Sequence, residues 1–210
     1  TVIEEMIPLL PSEMTYQVLD FGLHVNPGEL KRTLQAAIDE AAGAFDEIIL
    51  GYGFCSMAVV GLRATACTLV VPKVDDCIAI FLGSKTAYRE QHHSAPGTYY
   101  LTKGWIEAGD GPFDDYERLA KRFGPEKAEK VVRQMLNHYT RLALIDTGQK
   151  EMDHYRRYAQ DLAARWDLTF DEIPGSKALV QKMIFGPWDD DFLVVSSGET
   201  IRFEDFHRPS

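Results

Sequence analysis

The chain has 210 residues, 45% of them hydrophobic, enough to bury a sizeable core. Its 22 Lys and Arg stand against 32 Asp and Glu, a formal charge of −10 whose field repels phosphate backbones, so nucleic acid is not an expected partner. No apolar run reaches the roughly 18 residues of a membrane span, and Thr1 to Met6 lacks the basic and apolar regions of a secretory signal, so a membrane association is not expected and a cytoplasmic location is.

Val2, Ile3, Met6, Ile7 and Leu10 have the spacing of a short amphipathic helix, broken by Pro8 and closed by Pro11. A helix standing first in an alternating α/β chain normally follows a strand, so a strand upstream of Thr1 is expected. Tyr16 to Phe21 alternates as a strand would. Asn26-Pro27-Gly28-Glu29 then supplies a cap, a first-turn proline and an acidic third position for a helix to about Ala42, with Gly43 as its stop. Glu47 to Leu50 and Thr68 to Val71 are short continuous apolar runs, the pattern of strands buried on both faces of a parallel sheet.

Residues 84–139 turn polar and helical, with helices expected at Lys85 to His93, Phe113 to Phe123 and Pro125 to about Tyr139. This stretch reads as a helical insertion or cap. Leu142 to Ile145 resumes the strands, followed by a helix from Glu151 to Trp166, a strand at Leu168 to Ile173, a helix at Ser176 to Ile184 and a strand at Phe192 to Val195. The expected fold is α/β over residues 1–210: a mostly parallel, Rossmann-like sheet with flanking helices and the 84–139 insertion, in one domain or two lobes.

In such sheets ligands bind at the carboxyl ends of the strands. Four loops qualify: Gly51 to Ser56, Pro72 to Cys77, Asp146-Thr147-Gly148, and Ser196-Ser197-Gly198-Glu199-Thr200. Gly51 and Gly53 follow a strand as in a dinucleotide fingerprint, but Ser56 stands in the place of the third glycine, and glycines also serve ordinary turns. Ligand binding is expected of Gly51, Gly53, Ser196, Ser197 and Glu199.

The three cysteines, Cys55, Cys67 and Cys77, form an odd set without a secretory signal, which favours thiols over a disulfide framework. Cys55 and Cys77 each follow an expected strand and suit a nucleophile or a metal ligand, whereas Cys67 opens an apolar run and reads as structural. The pair Asp75-Asp76 beside Cys77 supplies either a hard metal ligand or a general base, or Asp76 is the cap of a helix over Cys77 to Leu82. His92-His93 reads as solvated surface, and its spacing to the cysteines matches no zinc motif. Gly97 to Trp105, with Tyr99, Tyr100, Lys103 and Trp105, is either a lining for an organic anion or an apolar plug, the plug being preferred.

Glu47 to Ser56, Val59 to Arg63, Asp76-Cys77-Ile78, Phe81 to Ser84, Gly97 to Thr102 with Gly104 to Glu107, His138-Tyr139-Thr140, Ile145 to Gly148 and Phe192 to Val195 with Gly198-Glu199-Thr200 together resemble the domain of unknown function 1638 family. The resemblance implies an opening strand that ends near a further cysteine, and an association with corrinoid-dependent methyl-transfer proteins. The family pattern has a histidine before the cysteine of the third loop, where this chain has Asp75-Asp76-Cys77. Carboxylate oxygen can replace imidazole as a zinc ligand.

The leading expectation is a zinc or iron–sulfur site held by Cys55, Cys77 and Asp76, linked to a corrinoid-dependent methyltransferase system. The alternatives are a metal-free protein that binds an anionic small molecule on the Gly51 loop, and a thiol enzyme with Cys55 as nucleophile.

Overall fold

The structure, a computed structural model, describes residues 6–20, 22–23, 26–54, 57–109 and 111–206. In chain order its elements are α1 (Pro27–Ala41), β1 (Glu47–Ile49), β2 (Thr68–Pro72), α2 (Cys77–Leu82), α3 (Lys85–Ser94), β3 (Thr98–Leu101), α4 (Lys103–Ala108), α5 (Pro112–Phe123), α6 (Pro125–Met135), β4 (Arg141–Asp146), α7 (Met152–Arg165), β5 (Thr169–Pro174), α8 (Ala178–Phe185) and β6 (Phe192–Val195). Short 3-10 turns cover Ile7–Leu9 and Phe203–Phe206. The class is mixed α/β, as expected, but the strands form two separate three-stranded sheets rather than one Rossmann-like sheet.

The chain divides into a continuous unit, Thr86–Ser176, and a discontinuous one, Val2–Lys85 with Lys177–Ser210. The continuous unit begins within two residues of the expected insertion but runs on to take β4 and β5, so it carries a sheet of its own. That sheet has the order β3-β4-β5 and is parallel throughout. Gly97 to Trp105, whose glycines suggest a loop, supplies the edge strand β3 and then, with only Thr102 between, the helix α4. Thr102 is buried, and its hydroxyl accepts from the Trp105 N–H, so strand passes to helix without a longer connection.

β4 lies in the middle, and Leu142, Ala143, Leu144 and Ile145 are buried on both its faces. The core beneath them gathers Phe113, Val132, Leu136, Tyr155, Ala159, Ala163 and Trp166 from α5, α6 and α7 and the loops that follow them. Two arginines fasten the strands. Arg141 donates to Thr98 Oγ1, Asp171 and Gln91, each at 2.8 Å, tying β4 to both neighbours and to α3. Arg156 on α7 grips both oxygens of Glu172 on β5 at 2.5 and 2.7 Å.

In the discontinuous unit β2 is central, and Leu69, Val70 and Val71 are fully buried. β1 pairs with it in parallel, β6 antiparallel, with Leu69 opposite Val195 and Pro72 opposite Phe192. The parallel expectation therefore fails at β6. The element before β6 in this unit is α8, and the strand before α8 belongs to the other sheet, so no strand-helix-strand crossover dictates β6's direction. Leu30, Leu34 and Ile38 of α1 pack with Leu50, Val59, Leu62, Leu69, Val71 and Ile201 in this unit's own core.

α1 starts as expected: Asn26 Oδ1 accepts from the Glu29 N–H at 3.2 Å, and Pro27 takes the first position. The expected strand at Tyr16 to Phe21 does not form over residues 16–20, where Tyr16 and Val18 are more than half exposed and pair with no strand among the described residues; Phe21 lies outside them. Of the expected opening helix, Val2 and Ile3 also lie outside them, and its further part forms the short 3-10 turn Ile7–Leu9. None of the described helices is long and apolar enough to cross a membrane.

The Arg156 guanidinium, through its hydrogen bonds, holds the Glu172 carboxyl below its ordinary value of 4.5. A depressed folded-state value contributes stability above the unfolded value and loses it as pH falls through the folded one. The stability difference between the wild type and Glu172→Gln should thus be largest above pH 4.5 and shrink below it, as read from urea midpoints across an acid series. A difference independent of pH would contradict this role for the pair.

Candidate functional site

In the discontinuous unit the parallel pairing of β1 and β2 sends both chains out of the same edge of the sheet, into residues 50–54 and 73–77. The two exits touch. The Phe54 N–H donates to the Val74 carbonyl at 2.8 Å. A Cβ on the buried Gly53 would lie 2.8 Å from Val74 Cγ2, 3.0 Å from the Val74 carbonyl oxygen and 3.4 Å from the Asp76 carbonyl carbon. Glycine is therefore required here because one backbone lies on another. Gly51 is half-buried beside it, and burial pushes the neighbouring Tyr52 phenol above its ordinary value.

Asp76 caps the helix, one of the two roles open to it in the sequence: its Oδ1 accepts from the Ile78 N–H at 2.7 Å, fixing the start of α2. Cys77 is the first residue of that helix and is half-buried. Cys55 and Ser56, the two residues after Phe54, lie outside the described residues. Cys67 is 3% exposed within the unit's core, and burial pushes its thiol up, as befits a structural residue.

The Ser196 to Thr200 loop does not join these residues. Because β6 runs against β2, the residues after Val195 emerge at the amino end of β2, the opposite edge from Gly53 and Cys77. There the Ala64 N–H donates to the Glu199 carbonyl and the Ala64 carbonyl accepts from the Gly198 N–H, the Gly61 N–H donates to the Ile201 carbonyl, and the Glu199 carboxylate accepts from the Ser196 N–H at 3.2 Å. Parallel neighbouring strands would bring Ser196, Ser197 and Glu199 together with Gly51 and Gly53; the reversed β6 does not meet that condition. Their side chains are exposed and serve a turn.

In the continuous unit the carboxyl edge of the parallel sheet carries Asp146, whose Oδ1 accepts from the Gly148 N–H at 2.8 Å and shapes the turn after β4. Gly175 comes so close to this turn that a Cβ would lie 2.7 Å from Thr147 Cγ2. Tyr99 meets Phe113 and Tyr139 edge-on at 5.0 and 5.2 Å, and Trp105 packs on the core, so much of the Gly97 to Trp105 segment is packing. Lys103 is the exception. Its ammonium faces Glu107, one turn on, and the Tyr155 ring of α7. The lysine–glutamate spacing is visible in the sequence; the tyrosine, 48 positions later, is not.

His92 and His93 are exposed in the last turn of α3, with His93 Nδ1 2.8 Å from the Arg89 carbonyl. Among the described residues, no three His, Cys, Asp or Glu side chains are grouped closely enough to hold a metal.

The glycine contact makes a direct prediction. Gly53→Ala, which forces a methyl against the Val74 backbone, should lower stability by about 1–3 kcal/mol in urea denaturation. Gly28→Ala, at a helical position whose nearest neighbour would be 3.8 Å away, should raise it by about 0.4–1 kcal/mol.

No curated protein and no solved structure matches the chain. The family model described as protein of unknown function (DUF1638) matches residues 18–184, which include both strand exits and the whole continuous unit. The chain belongs to the DUF1638 family.

Proposed function

We propose that the discontinuous unit holds a metal, as zinc or an iron–sulfur cluster, through the thiolates of Cys55 and Cys77, and that this centre serves corrinoid-linked methyl transfer. The observation that supports the reading is the backbone contact between the two strand exits, the Phe54 N–H on the Val74 carbonyl with Gly53 pressed against residues 74–76. It joins Phe54, next in sequence to Cys55, to the exit of β2 that leads into Cys77.

Thiolates from separate loops are ordinary ligands of zinc and of iron–sulfur clusters, and a centre with fewer than four protein ligands keeps a position open for substrate. Asp76 spends one oxygen on its helix cap, so its part is to fix the start of α2 and with it the position of Cys77. The described donors do not complete a metal site by themselves, and the reading therefore depends on Cys55. The link to methyl transfer rests on the family resemblance and on the affinity of thiolate-bound zinc for soft substrates.

Anaerobic purification followed by elemental analysis and an absorption spectrum tests the proposal. Stoichiometric zinc or iron is expected in the wild type and in Cys67→Ser, and its loss in Cys55→Ser and in Cys77→Ser, with far-ultraviolet circular dichroism unchanged. An iron–sulfur cluster adds visible absorption, whereas zinc leaves the protein colourless. A metal-free wild type, or full metal content in both variants, overturns the reading.

A further inference from the structure

The continuous unit contains a polar cluster that the cysteine site does not use. α4 and α7 follow the carboxyl ends of the adjacent parallel strands β3 and β4, the edge at which open parallel sheets receive ligands. Lys103 and Glu107 lie one turn apart on α4, and Tyr155 lies in the first turn of α7. Tyr155 is only 5% exposed, and its hydroxyl donates to Glu107 Oε1 at 2.5 Å, which fixes that carboxylate while leaving it partly open to solvent.

Lys103 is the less ordinary member. Its side chain is 23% exposed, and its Nζ lies 3.9 Å from Glu107 Oε1 and 5.8 Å from the centre of the Tyr155 ring. The first distance is a charge contact, too long for a hydrogen bond. Among the described residues Lys103 Nζ has no hydrogen-bond acceptor. An ammonium carries three donors, and a largely buried one loses stability unless acceptors replace the water it gave up. An anion lying against Lys103 would supply them.

We propose that Lys103 is the anion-binding group of a small-molecule site at this edge, and that Glu107, held in place by Tyr155, accepts from a hydroxyl or amine on the same ligand. The ligand class is a small hydroxy- or amino-carboxylate. Opposite charges one helical turn apart match the carboxylate and the neighbouring donor of such a molecule, and the tyrosine keeps the glutamate from collapsing onto the lysine.

Titration of the whole chain with glycolate, glycine and acetate, followed by the backbone amide resonances of residues 102–107 and of Tyr155, tests this. Glycolate or glycine should shift these resonances saturably, and acetate, which lacks the donor, should bind about tenfold more weakly. Lys103→Gln should abolish saturation, and Glu107→Gln should bring the better ligand down to the level of acetate. Tyr155→Phe, which keeps the carboxylate but frees it to move, should weaken the better ligand and leave acetate unchanged. Absence of saturable shifts with all three compounds, or equal shifts in Lys103→Gln with its amide spectrum still dispersed, overturns the proposal. The test shares no residue with the cysteine site, so a metal-free protein would leave it unaffected.

Discussion

Strands β2 and β4 are buried on both faces, and a strand so placed must find a hydrogen-bonding neighbour at each edge and an apolar cover on each side. Much of the chain follows from that requirement. Around β4 it is met by β3 and β5 in parallel, with apolar side chains from α5, α6 and α7 in the core. Around β2 it is met by β1 in parallel and β6 reversed, with α1 in the core and α8 packed against the strand. The charged side chains act where burial alone would leave the register loose: Arg141 reads across three strands at once, and Arg156 locks a helix to an edge. Parallel neighbours also bring successive strand exits to one edge, and that geometry generates both candidate sites.

The two sites rest on different physics. At the exits of β1 and β2 the telling feature is closeness of backbone, enforced by a glycine whose missing side chain lets Phe54 reach the Val74 carbonyl. At the exits of β3 and β4 it is an imbalance of polar partners, a lysine in a charge contact but without hydrogen-bond acceptors among the described residues. The proposals follow the same division, soft thiolate chemistry for the first and recognition of a small organic anion for the second.

Much of the fold was legible in the sequence because local signals were strong. Asn26-Pro27 announced α1, Pro125 announced α6, and the unbroken apolar runs at 68–71 and 142–145 announced the two central strands. Pairing was not legible, since Phe192 to Val195 reads the same whether it runs with or against its neighbour, and that ambiguity placed Ser196 and Glu199 at the wrong edge. Tyr16 to Phe21 shows the opposite failure: alternation without a partner strand leaves residues 16–20 irregular, with Leu19 packed on the core and the others exposed. For Gly53 the structure supplies a packing reason that the local sequence does not show, contact with Val74, 21 positions further on. Asp76 was legible as a cap because that role needs only its own next two residues.

The reversed β6 also bears on the order of assembly. Thr86–Ser176 is continuous, and each of its strand pairs closes over a few dozen residues, so this unit can form its hydrogen bonds as soon as it has left the ribosome. The other unit cannot. β2 has its second neighbour only when residues 192–195 arrive, after the whole of Thr86–Ser176 has been synthesised. Until then Val70 and Val71 present an unpaired strand edge, and residues 192–195 are what covers it.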